Sequence, residues 1–90
     1  MYLHIGQDVL VAYQHIVGIF DRDLLESSTD FRHYYHRLRQ NNQIVGDPEL
    51  AKSVIVTPTH LYFSPISAST LWRRAERDPS VWLASDEDEK

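Results

Sequence analysis

Two apolar stretches near the start, Tyr2-Leu3-His4-Ile5 and Val9-Leu10-Val11-Ala12, flank the short connection Gly6-Gln7-Asp8. A Gly able to take positive φ between two such runs predicts a β-hairpin. His15-Ile16-Val17-Gly18-Ile19-Phe20 is rich in β-branched residues and ends at Asp21-Arg22-Asp23, which predicts a third strand. The period then changes. After the N-cap candidates Ser27-Ser28-Thr29-Asp30, the residues Phe31, Tyr34, Tyr35 and Leu38 fall at i, i+3, i+4 and i+7. This spacing predicts an amphipathic helix ending near Gln40-Asn41-Asn42. Gly46-Asp47-Pro48 reads as a turn, and strand chemistry resumes in Ser53–Thr57 and His60–Phe63 around Pro58-Thr59, a second hairpin. Pro65 stops the last strand, Ser67 is placed to cap, and Ala68, Leu71, Trp72 and Ala75 repeat the helical spacing up to Asp78-Pro79. Trp82 and Leu83 follow without a resolvable period. The order β-β-β-α-β-β-α describes a small α+β domain with two amphipathic helices, spanning residues 1–80.

Composition narrows what such a domain can do. The chain has 90 residues, 42% of them hydrophobic, a formal charge of -4 and no Cys. One core fits that length, and self-association could supply further burial. Without Cys, a disulfide framework, a thiolate zinc site, an iron–sulfur cluster and a cysteine nucleophile are excluded. No apolar run reaches the roughly 20 residues that span a bilayer. The start, Met1-Tyr2-Leu3-His4, has no secretion-signal pattern, so a cytoplasmic protein without membrane contact is expected. Charge is segregated along the chain: residues 1–30 carry -4, residues 31–77 carry +4 and residues 78–90 carry -4. The segment 81–90 includes Asp86-Glu87-Asp88-Glu89 and reads as an acidic tail outside the packed domain.

The basic middle concentrates the candidate chemistry. At about 100° per residue, Arg73, Arg74 and Arg77 lie opposite the apolar stripe of the last helix. Guanidinium forks on an exposed ridge suit phosphate oxygens; the competing reading is a solvated surface locally paired with Glu76 or Asp78. The first helix carries Arg32, His33, His36, Arg37 and Arg39 away from its aromatic stripe. That stripe reads as core or subunit packing in preference to base stacking. His33 and His36 are neighbours on a helical surface, but two ligands do not make a zinc site, which takes three or four. His4, His15 and His60 lie on or beside strands. No nucleophile elbow, phosphate-binding glycine loop or dinucleotide fingerprint occurs, so neither an enzyme nor a cofactor or metal is expected.

The ordered segments Ile5-Gly6, Ile16–Asp21, Ser53–Thr57 and Tyr62-Phe63-Ser64-Pro65-Ile66-Ser67-Ala68-Ser69-Thr70-Leu71 resemble the RemA/RemB family of bacterial extracellular matrix regulatory proteins over residues 1–77. The resemblance implies a cytoplasmic regulator of biofilm-matrix genes. It also implies a fold similar to LytTR DNA-binding domains and a ring-like homo-oligomer that holds double-stranded DNA through repeated basic surfaces. The RemA-like pattern has an Arg where this chain has His15 and adjacent Arg residues where it has Glu49-Leu50, whereas Lys52 keeps the positive charge that follows them. The expected DNA contacts are therefore Arg73, Arg74, Arg77, Lys52, the pH-sensitive His15, and Arg32, Arg37 and Arg39 of the first helix. The alternative is a protein-interaction or assembly module that regulates matrix genes through a protein partner or a family paralogue, without touching DNA.

Overall fold

Val54 and Ile55 are adjacent in the chain and both wholly buried. Neighbours on a strand point to opposite sides, so both faces of the sheet that contains them must be covered. The computed structural model, which describes residues 1–77, shows what covers each face. The expectations for Asp78-Pro79, Trp82, Leu83 and the acidic tail lie outside the described residues.

The central sheet has the order β3-β5-β6-β4, formed by Gly18–Asp21, Ser53–Val56, Leu61–Ser64 and Ile44–Val45. Strands β3, β5 and β6 pair antiparallel, with Ile19, Ile55 and Tyr62 in register, while β4 runs parallel to β6. On one face, Val54, Leu61 and Phe63 pack against Leu25 of helix α1 (Leu24–Ser27) and against Tyr35 and Leu38 of helix α2 (Thr29–Gln40). On the other, Ile19 and Ile55 meet Leu3 of β1 (Tyr2–His4), Ile5, Val11 of β2 (Leu10–Ala12) and Leu71 of helix α3 (Ala68–Arg77). The result is three layers: α1 and α2, then the sheet, then the β1-β2 hairpin with α3.

Local chemistry accounts for most element ends. The first hairpin forms as the sequence predicts, with Tyr2 opposite Ala12, and Gly6, Gln7 and Asp8 all take positive φ in its turn. Ser28 caps α2 by accepting a hydrogen bond from the Phe31 N–H at 3.1 Å. At Gly46, with φ at 92°, a Cβ would run into the Phe63 carbonyl oxygen, so only Gly lets β4 close on β6.

Three differences from the sequence reading stand out. The third strand begins at Gly18, not His15, because Tyr13–His15 winds into a 3₁₀ turn closed by the Ile16 N–H on the Tyr13 carbonyl. Helix α1 and strand β4 are additions of four and two residues, too short to show a period. Trp72, read as part of the buried stripe, is 48% exposed and leans over the sheet edge at β3.

Candidate nucleic-acid interface

The setting of α3 begins with two buried serines that face each other across β5 and β6, Ser53 and Ser64. The Ser53 hydroxyl donates to the Ile66 carbonyl at 2.7 Å. The Ser64 hydroxyl donates to the Ile5 carbonyl at 2.6 Å and accepts from the Ile66 N–H at 3.0 Å. Together these bonds fix the chain just before α3 to the sheet and to the first hairpin. Ser67 then caps α3 by accepting from the Thr70 N–H at 3.3 Å. Leu71 and Ala75 bury the inward side, so the helix has one rotation about its axis.

With that rotation fixed, helical spacing turns Arg73 and Arg77 outward, four residues apart, and all three arginines are exposed. Arg74 leans toward the hairpin, where it donates to the His4 carbonyl at 3.2 Å. Arg73 reaches back to the Thr70 hydroxyl at 3.5 Å. On the opposite flank, the Trp72 indole N–H donates to the Ile19 carbonyl at 3.2 Å. The ridge thus stands over a well-anchored helix, with the Arg73 and Arg74 guanidinium groups in exposed contacts that a phosphate oxygen can replace.

The other basic candidates are not gathered there. Helix α2 lies across the sheet from α3, so its basic side faces away from the ridge. Arg37 stacks on the Tyr34 ring at 5.3 Å from the centroid, and His33 and His36 are exposed beside it. Arg32 is half-buried and donates to the Leu25 and Glu26 carbonyls at 3.1 and 3.4 Å, which closes the end of α1. Arg39 borders a depression of about 520 Å³ that it shares with Asp47 and Glu49. Lys52 is exposed at the start of β5, where the strand register puts Asp21 opposite Ser53. Its carbonyl accepts from the N–H of Arg22, whose side chain pairs with Glu26 at 2.7 Å. His15 is exposed and lines a groove of about 450 Å³ with Tyr2, Leu10, Pro58 and Tyr62. Among the described residues, no three of His, Asp and Glu converge as metal ligands. No helix among them is long and apolar enough to cross a membrane.

Comparison with known proteins fixes the family. A family model described as "RemA-like: Extracellular matrix regulatory protein A-like" matches residues 2–75. The chain belongs to this RemA-like family. It is similar to Extracellular matrix regulatory protein B of Bacillus subtilis (strain 168), with 33% identity over 76 residues, 84% of this chain and 91% of the relative. The RemA-like match takes in all three layers, along with Arg73 and Arg74 of the ridge. Arg77 and residues 78–90 fall beyond it.

Two features of the candidate interface escaped the sequence reading: the outward lean of Trp72 and the opposite placement of the two basic helices. The second had a signal in the buried run Ser53-Val54-Ile55, whose neighbouring apolar residues need a layer on each side.

Proposed function

We propose that this chain is a noncatalytic regulator of extracellular-matrix genes that binds the phosphate backbone of double-stranded DNA through Arg73, Arg74 and Arg77. It acts as a LytTR-like module in a ring-like homo-oligomer. The observation that carries the proposal is the exposure of three arginines along one side of α3, while Leu71 and Ala75 lock the other side onto the sheet. The family name supplies the matrix-regulatory role. Recognition is mainly of backbone and shape, because the ridge offers charge and forked donors without a set of base-reading side chains. Repetition around an oligomer explains how a protomer of charge -4 holds DNA: only the faces lining one side of the assembly meet phosphate.

The salt dependence of affinity tests this reading. Three neutralised phosphates on one protomer give a slope of log K on log salt near -2.7, so raising salt from 50 to 200 mM weakens binding about 40-fold. Engagement of more protomers steepens the slope in proportion. A shallow slope, with light scattering showing a monomer, would contradict the proposal.

A second reading, a protein-interaction module, draws on Leu50. It is 69% exposed next to Glu49 in the loop where the resembled pattern carries arginines. An acidic loop with a projecting Leu suits a protein partner better than phosphate. Charge reversal of Arg73, Arg74 and Arg77 would break assembly in that case, whereas the DNA reading expects an intact oligomer that has lost DNA.

A further inference from the structure

The ridge on α3 has a candidate competitor within the same chain. We infer that Asp86-Glu87-Asp88-Glu89 docks on Arg73, Arg74 and Arg77 and limits their access to DNA. The inference rests on the phosphate-binding reading of the ridge. Four consecutive carboxylates present a run of negative charge comparable to a short stretch of phosphodiester backbone, and forked guanidinium donors recognise both.

Position along the chain makes the ridge the nearest basic helix face to the acidic run. Only eight residues separate Arg77 from Asp86, a reach of at most about 30 Å. Arg73 lies about 6 Å from Arg77 along the helix axis, well within it. The basic side of α2 stands beyond α3 and the sheet, two layer spacings of roughly 10 Å each. Arg32 is also engaged with the Leu25 and Glu26 carbonyls, and Arg39 shares its depression with Asp47 and Glu49. The α3 ridge, with Glu76 of the same helix beside it, is therefore the basic surface nearest along the chain to Asp86. Charge adds a quantitative constraint: the ridge carries three positive charges beside the one carboxylate of Glu76, and residues 86–89 carry four negative ones, so docking would offset the field that attracts DNA there.

A short tether gives an effective concentration on the order of 1 mM. A docking Kd of roughly 0.1–0.5 mM then weakens apparent DNA affinity about threefold to tenfold. The contact is exposed, so salt screens it within a Debye length of about 8 Å at physiological ionic strength and about 3 Å at 1 M. Inhibition is thus strongest at low salt and fades as salt rises.

The test uses the full chain and a neutralised variant, Asp86→Asn, Glu87→Gln, Asp88→Asn and Glu89→Gln, which leaves the packed domain untouched. Anisotropy titration with a fluorescent duplex should show threefold to tenfold tighter binding by the variant at low salt, with the difference shrinking at high salt. NMR of the arginine side-chain N–H groups should show shifts at Arg73, Arg74 and Arg77 between the two chains without DNA. Equal affinities together with unshifted arginine signals would overturn the inference. If neither chain binds a duplex, the DNA reading fails, and the arginine signals alone decide the docking: shifts support it and their absence refutes it.

Discussion

Helices α2 and α3 share the same apolar spacing but meet the sheet differently. Helix α2 places Tyr35 and Leu38 in the core, with Phe31 and Tyr34 packed beside them, and the Tyr35 ring meets Phe63 edge-on at 5.6 Å. Helix α3 buries only Leu71 and Ala75 and turns Trp72 to the sheet edge. The difference lies in what surrounds them. Helix α2 covers its face of the sheet together with one turn of α1, so bulky aromatics are needed to fill the layer. Helix α3 shares its face with a hairpin that already contributes Leu3, Ile5 and Val11, so a small contact suffices and the rest of the helix stays outside. A stripe period therefore identifies a helix without saying how bulky its contact with the sheet is, and both helices keep a basic side exposed, α2 with Arg37 and Arg39 and α3 with Arg73, Arg74 and Arg77.

Substitutions that break one layer at a time sharpen this comparison. Leu71→Ala should have the largest effect, about 3–4 kcal/mol, because a fully buried side chain leaves a cavity where hairpin, sheet and helix meet. Leu38→Ala should cost somewhat less, about 2–3 kcal/mol. Urea unfolding of both variants checks the order, and a cost below about 1 kcal/mol for Leu71→Ala would mean that α3 is an appendage. Ser64→Ala comes next at about 2 kcal/mol, since it leaves the Ile5 carbonyl and the Ile66 N–H without their shared hydroxyl. Its hydrogen exchange should quicken in the hairpin and at the start of α3 while α2 keeps its protection. Ser28→Ala, which removes the cap of α2 alone, should lower stability by about 1 kcal/mol in thermal melts. Trp72→Phe should be the mildest, about 0.5–1 kcal/mol, because it loses one half-exposed hydrogen bond to Ile19 while keeping most of the ring.

Much of this architecture was legible in the chain. The Gly6 turn, the cap candidates Ser27-Ser28-Thr29-Asp30, the Pro58-Thr59 connection and the two helical stripes each carry a local physical signal, and each led to the right element. Strand β4 and helix α1 did not, because two and four residues cannot display a period and their stability comes from packing. His15 was misread as strand because β-branched Ile16 and Val17 dominate its neighbourhood, while the turn at Tyr13–His15 depends on one backbone hydrogen bond. The candidate site was legible only helix by helix. Spacing put Arg73, Arg74 and Arg77 on one side of α3, but it carries no information about two elements at once. The dispersal of Arg37, Lys52 and His15 over separate surfaces emerged only from the packing.

The central claim, that DNA meets the α3 face and not the α2 face, is tested most directly by anisotropy titration of two charge variants with one duplex at 50 mM salt. Arg73→Ala/Arg74→Ala/Arg77→Ala should lose at least about tenfold in affinity, and Arg37→Ala/Arg39→Ala should stay within about twofold of the unaltered chain, with both variants keeping its oligomeric mass. Equal losses in the two variants, or a larger loss from the α2 pair, would contradict the account.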